Sequence, residues 1–546
     1  MTQNATQTSE ATVLSFADPA PELEEILRLI FQFTEQASLS RAARVSRAWS
    51  NIALDELWRS LPSIFPLLKL LAPLEWILDP TKHQRTLCTS LVDADWDRFR
   101  GYALRVQCVN IDNALEVDLP HESAALVQMF HRTAPLLPNI ETISWRFIQT
   151  KNCTSILPFI GPQLEHVTLV MERGINENEQ RLLMRSLGNF VPNLRSLRLT
   201  SLTPTSDWTG FLAQSIYSWP KLVHLELPPF FLTPAVVAAT ASLPLLTKLN
   251  SSGWRSSYET YSTGGMNFKF TPGSFPKLDS LSFAALPNKM LQVLRSTDHV
   301  RQLQTICLDC PTFSGPWEIE RVFTQLADVA QRLVDLQLVC SPVRQYRTSS
   351  SNDSLLIQTI RPLFSCTRLR RFHLVAPRFE PLTDADIVEM GKSWPAMRCL
   401  TLSPAPVADH PSGTPFSTLP AFAKNLPNLQ KLRLLFDTET SEFDGNLYPT
   451  HRFKKLEVLG VGFSSVPRGK AQEIGFLLAS LCQTAPAIEV GITKYHRGDD
   501  IPEPRRSELL VEWLEVGSAM DLAFRTKKSI TPLLRTTGAE QGEPAL

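Results

Sequence analysis

Two hydrophobic rhythms divide this chain. From about residue 137 onward a helix-like segment, often a proline, and then the phrase L-x-x-L-x-L return in sequence. Copies open at Leu137, Gly161, Val191, Trp219, Leu243, Phe275, Val300, Ala330, Cys366, Trp394, Leu426 and Phe453, with a degraded one at Ala485. The last two apolar positions of the phrase are two residues apart, so both point to one face of a short strand. The first packs under the entry turn. Between phrases, stretches such as 178–190, 319–330 and 474–482 have the apolar spacing of helices. A repeated strand and helix can bury its apolar edge only against the next copy. The predicted class is therefore α/β: a curved solenoid over residues 104–497, with its strands on the concave side.

The second rhythm is confined to residues 21–61. Ile26, Leu27, Ile30 and Phe31 give one apolar stripe on a helix. Ser38 stands where an N-cap belongs, before Leu39, Ala42, Ala43 and Val45. Ser46-Arg47-Ala48-Trp49 continues that helix, and Ala53, Leu54, Leu57 and Trp58 build a third. A unit this small seldom supplies enough core to stand alone. Its apolar surplus points to a docking module.

The order Ile30-Phe31, Val45-Ser46-Arg47-Ala48-Trp49, Leu57-Trp58 resembles the F-box. The family's opening Leu-Pro would fall on Glu22-Leu23, with Pro21 slightly earlier. The resemblance implies a three-helix module over 18–61 that binds a Skp-family adaptor and, through it, a cullin scaffold. The implied core and adaptor face comprise Pro21, Leu23, Ile26, Leu27, Ile30, Phe31, Leu39, Val45, Trp49, Leu57 and Trp58. With the repeats included, the chain resembles the expanded fungal group of F-box proteins with divergent leucine-rich repeats. The period drifts between roughly 24 and 36 residues, near but above the range of such repeats. The Asn or Cys that normally follows each strand is missing: Leu202 stands there after Leu199, and Pro311 after Leu308. An irregular horseshoe is expected.

Residues 62–103 read as a helical connector, with Trp96, Phe99 and Ala103 on one face, and 104–111 as the first strand. Residues 498–524 read as a C-terminal capping helix, while 1–17 and 525–546 are expected to be disordered.

Charge and chemistry narrow the function by exclusion. Lys plus Arg and Asp plus Glu both total 54, so no overall basic field invites nucleic acid or a membrane. Nine cysteines without framework spacing fit a reducing compartment, cytoplasmic or nuclear. The start MTQNATQTSE lacks the features of a signal peptide. Cys307 and Cys310 form a lone C-x-x-C with no second pair for zinc. Gly462 and Gly469-Lys470 mimic pieces of a phosphate loop, but Ala471 replaces the needed Ser or Thr. No catalytic residue, metal ligand or cofactor site emerges.

Partner binding is expected on two surfaces. The residues flanking the second apolar strand position, His373 among them, face away from the core; Arg371, Lys431 and Arg433 would make the late repeats locally positive. An insertion over 251–270 offers Trp254, Arg255, Tyr258 and Tyr261, residue types that dominate binding hot spots. The expectation is a non-catalytic substrate-recognition subunit of an SCF-type cullin-RING ubiquitin ligase. The alternative is an F-box and repeat scaffold that delivers nothing to ubiquitin.

Overall fold

The computed structural model describes residues 21–71, 74–76, 85–87, 95–111, 135–147, 153–171, 177–201, 208–251, 273–295, 298–311, 313–340, 354–376, 378–404, 413–439, 451–491 and 503–537. The chain divides into two compact units, Met1–Leu194 and Arg195–Leu546.

The first unit opens with three helices: α1 (Pro21–Gln32), α2 (Gln36–Ala42) and α3 (Arg47–Arg59). Leu27 and Phe31 of α1, Leu39 and Ala42 of α2, and Ile52 and Ala53 of α3 form its small core. Sequence spacing placed a cap at Ser38 and ran the second helix through Trp49. Instead Glu35 precedes α2, Ser38 lies inside it, and the chain turns over Ala43–Val45. Ser46 is the true cap: its extended backbone opens α3, and its hydroxyl accepts a hydrogen bond from the Trp49 amide at 3.2 Å. A serine satisfies an orphan amide best where a helix begins, and that favours the break.

Beyond α3 the strand Ser60–Leu61 pairs in parallel with Cys108–Ile111, joining the helical module to the first rung of the repeats. The connector contains the expected helix, Trp96–Ala103, with Phe99 and Ala103 buried and Trp96 at its border. It also holds an antiparallel hairpin, Leu74–Trp76 with Arg85–Leu87, that helical spacing did not foretell. The strands Thr142–Phe147 and His166–Met171 come next in parallel, with Val109, Ile143 and Val167 in line and buried.

In the second unit each repeat phrase becomes a short strand, paired in parallel with the next from Ser196–Ser201 through to Ala487–Val490. The register aligns the second apolar position of every copy. Leu197, Leu225, Leu249, Leu281, Ile306, Leu336, Phe372, Leu400, Leu432 and Leu459 form one buried ladder. The degraded copy extends it with a shift. Spacing assigned Ile488 to the first apolar position, yet it lies opposite Leu459, in the place of the second. The strand bulge between Gly460 and Gly462 accompanies that slip.

Intervening helices pack beneath the strands. Pro316–Val329, for example, buries Ile319, Val322, Phe323 and Leu326 at helical spacing. The closing helix runs Glu503–Thr537, through residues 525–537 where the sequence read a tail. It packs on Ala471–Leu481 and drives Trp513 inward, where the indole N–H donates to the Ser464 carbonyl at 2.8 Å. No helix among the described residues is long and apolar enough to cross a membrane.

Candidate functional site

Helix α1 carries two apolar stripes rather than one. Leu27 and Phe31 face the module's core, only 6% and 4% exposed. Ile26, Leu29 and Ile30, with Phe33 in the turn just past the helix end, recur at i, i+3, i+4 and i+7 and lie in solvent, 53%, 59%, 53% and 90% exposed. The single stripe read from Ile26, Leu27, Ile30 and Phe31 therefore splits, because a narrow helix presents only one side to so small a core. Leu29 and Phe33 escaped the sequence reading, although their spacing from Ile26 and Ile30 was the signal that could have found them.

Other residues of the module extend this apolar surface. Val45 is exposed in the turn before α3, and Trp49 is 37% exposed, its ring meeting Phe31 edge-on with centroids 5.6 Å apart. Trp49 thus borders the core instead of filling it. Leu39 is wholly interior, Leu57 lines the core's edge, and Trp58 is turned away to meet Tyr102 at a tilt of 41°, ring centroids 4.5 Å apart. The backbone at Pro21 and Leu23 is helical; their side chains fall outside the described residues.

Polar links tie the module to the first rung of the repeats. Asp55 of α3 takes Arg28 of α1 at 3.2 Å and also Arg105 in the chain entering the next strand. Arg105 donates as well to the Asn51 carbonyl, and Arg59 donates to Gln107 at 2.9 Å. An exposed apolar stripe is thereby mounted on a fixed base. Such an exposed apolar surface marks an interaction site.

The helix-free face of the strands is the second candidate surface. Most residues assigned to it are exposed or half-buried, but Thr401 is interior at 2% exposure. Its local positive charge is largely cancelled. Arg371 binds Asp335 at 2.8 Å, and Arg433 grips Glu489 through two bonds of 2.7 and 3.1 Å. Earlier, Arg198 binds Glu226 at 2.8 Å, and burial holds neighbouring His224 below its ordinary pKa. Burial also raises Asp335 above its ordinary value, against the pull of Arg371. Lys431 remains on that face, and His373 is half-buried beside Gln337 of the preceding strand.

Cations without an ion pair among the described residues sit instead ahead of the strands, Arg370 and Arg398 one residue before theirs and Lys455 three. Arg370, Arg398 and Lys455, with Ala396, Asn428 and Gln430, line a cleft of about 290 Å³. The strand-face pattern did not point there, since these positions precede the strands. The insertion residues Trp254, Arg255, Tyr258 and Tyr261 lie outside the described residues.

The motif fragments acquire structural roles. Cys307 and Cys310, three apart on one strand, face opposite sides, and Cys310 lies in register with Cys340 on the next. The Cys310 and Cys340 thiols are hydrogen-bonded and fully buried, and that bond with burial raises Cys340 well above the ordinary thiol range. Burial pushes Cys307 up to about 12. No cluster of metal-ligating groups occurs among the described residues. Gly462 adopts φ +56° with its Cα so near the Pro404 carbonyl that a Cβ would fall 1.7 Å from the oxygen. Its glycine serves close backbone packing.

Residues 24–61 match the F-box-like family model. The chain thus combines an F-box-like helical domain with a parallel-stranded α/β repeat region of leucine-rich-repeat type. No curated protein matches the sequence. Among solved structures it is similar to the yeast Rad7–Elc1 complex, at 13% identity and a TM-score of 0.37, over 88% of this chain and 94% of that one. It is also similar to the leucine-rich-repeat protein LegL7 of Legionella pneumophila, at 13% identity and 0.27, over 48% and 83%. A third likeness is to the TLR13–ssRNA13 complex, at 13% and 0.33, over 68% and 61%.

Proposed function

We propose that this chain is the substrate-recognition subunit of an SCF-type cullin-RING ubiquitin ligase. The F-box-like domain would bind a Skp-family adaptor, which links it to a cullin, while the repeat region holds a target protein. The observation that carries this reading is the exposed stripe Ile26, Leu29, Ile30 and Phe33, within the residues that match the F-box-like model. Leaving four large apolar side chains in water forfeits about 1.5–3 kcal/mol each relative to burial. A partner that covers them recovers part of that.

Such a subunit needs no catalytic group of its own. Its contribution is effective concentration: a target lysine is kept near the charged conjugating enzyme that other subunits supply. The cytosol or nucleus is the fitting place for that work.

Reconstitution tests the reading. The full chain, a Skp-type adaptor and a cullin are mixed and resolved by size-exclusion chromatography. One species containing all three is expected. A chain–adaptor pair that never admits the cullin would leave only the scaffold role.

A further inference from the structure

The geometry points to the cleft at the strand entries of the late repeats as an anion site, and we propose that it takes a phosphorylated segment of the bound target. This rests on the receptor reading above and adds a chemical class of ligand to it.

The cleft is built by the repeat itself. Arg370 and Arg398 occupy the same place in successive copies, immediately before the strands Arg371–Val375 and Cys399–Leu402. The Arg398 amide donates to the Arg370 carbonyl at 2.7 Å, and the Gln430 amide donates to the Arg398 carbonyl at 2.7 Å. The two guanidinium stems therefore leave adjacent rungs, about 4.8 Å apart. Two places before Arg398 stands Ala396, where neighbouring copies carry Arg368, Asn428 and Lys455. The missing side chain opens the space, and Lys455 and Asn428, joined at 3.0 Å, close its far side.

Charge decides what fits. Like charges on adjacent rungs repel. Elsewhere in this unit strand-face arginines hold an acid: Arg198 with Glu226 and Arg371 with Asp335 on the adjoining strand, and Arg433 with Glu489 two strands away, across Gly460. Arg370 and Arg398 are exposed, and neither makes an ion pair among the described residues. The nearest strand-entry acid, Glu457, accepts from Gln430 at 3.4 Å. Two guanidinium forks and an ammonium converging on one cleft match the several oxygens and double charge of a phosphate monoester better than a single carboxylate. The cleft also adjoins the strand face at Arg371, Cys399 and Lys431, so an extended chain lying on that face could place a phosphoserine in it.

The test uses the full chain bound to its adaptor. The probe is a fluorescein-labelled peptide pool with degenerate flanks around one central phosphoserine, read by anisotropy. Pools with serine or glutamate at the centre, and inorganic phosphate as competitor, complete the set. The phosphoserine pool should bind, weaken with added salt, and lose roughly tenfold or more in affinity with Arg370→Ala or Arg398→Ala. Ala396→Glu, which places an acid in the cleft, should abolish binding while adaptor capture stays intact. Equal affinity of the wild-type and variant chains, or equal binding of the serine pool, would overturn the proposal. So would inorganic phosphate competing as well as the peptide, which would mark a small-ion site. Loss of adaptor capture by the wild-type chain would instead strike the receptor reading.

Discussion

Cys310 and Cys340 show how a single residue type can change meaning on folding. Along the chain, Cys307-x-x-Cys310 invites a metal or redox role. In the fold the register aligns Cys310 with Cys340, and strand parity sends Cys307 the other way. Burial, with the hydrogen bond to Cys310 at Cys340, keeps the Cys307 and Cys340 thiols neutral. Cys482 is likewise pushed up to about 12 by burial. A thiol raised in the folded state adds stability that is fully present below its unfolded pKa of about 8.5. That contribution is lost as pH climbs through the folded value. Iodoacetamide at pH 9 should therefore leave Cys307, Cys340 and Cys482 unmodified in the native chain and label all three in denaturant, as read by peptide mass mapping. Rapid native labelling of Cys307 or Cys482 would show that burial does not control these thiols.

At the scale of elements, strand positions were legible and charge balance was not. The L-x-x-L-x-L phrase marked the rungs from Thr142–Phe147 onward because its two-residue period survives drift in loop length. The first α1 stripe was misread for a physical reason: apolar spacing reports that a helix has a greasy side, not which part of it a small core can cover. Cancellation of Arg371 and Arg433 depends on Asp335 and Glu489, which are 36 and 56 residues away. No local pattern carries that. The cleft at Arg370 and Arg398 depends equally on neighbours one repeat apart. The terminal packing makes an element-level prediction. A Cβ on Gly475 would sit 2.7 Å from both the Ala519 Cβ and the Val516 carbonyl oxygen, so helix Ala471–Leu481 and the closing helix meet there without room. Gly475→Leu should cost about 1–3 kcal/mol by overpacking. Differential scanning calorimetry should register a lower Tm; an unchanged or higher one would refute this close contact.

For the whole molecule, the division of labour is between a covered and an uncovered apolar surface. The repeat units bury their leucine ladders, and the closing helix buries its own Trp513 and Met520 as it packs on Ala471–Leu481. The N-terminal module does the reverse. It uses Leu27, Phe31, Leu39, Ile52 and Ala53 to hold itself together and leaves Ile26, Leu29, Ile30 and Phe33 outside. Stability and adaptor capture should consequently be separable between the two sides of α1 and its C-terminal turn. Phe31→Ala should lower stability by about 3–5 kcal/mol, because it empties the core. Ile30→Asp and Phe33→Asp should leave the melting temperature nearly unchanged, since both side chains already lie in water.

The most direct measurement is calorimetric titration of the full chain with a Skp-type adaptor, wild type against Ile30→Asp with Phe33→Asp. A defined binding heat is expected for the wild type and none for the doubly substituted chain, with both chains melting at the same temperature. A wild-type chain indifferent to the adaptor, or a double variant that binds it equally well, would contradict the exposed stripe of α1 as the docking surface.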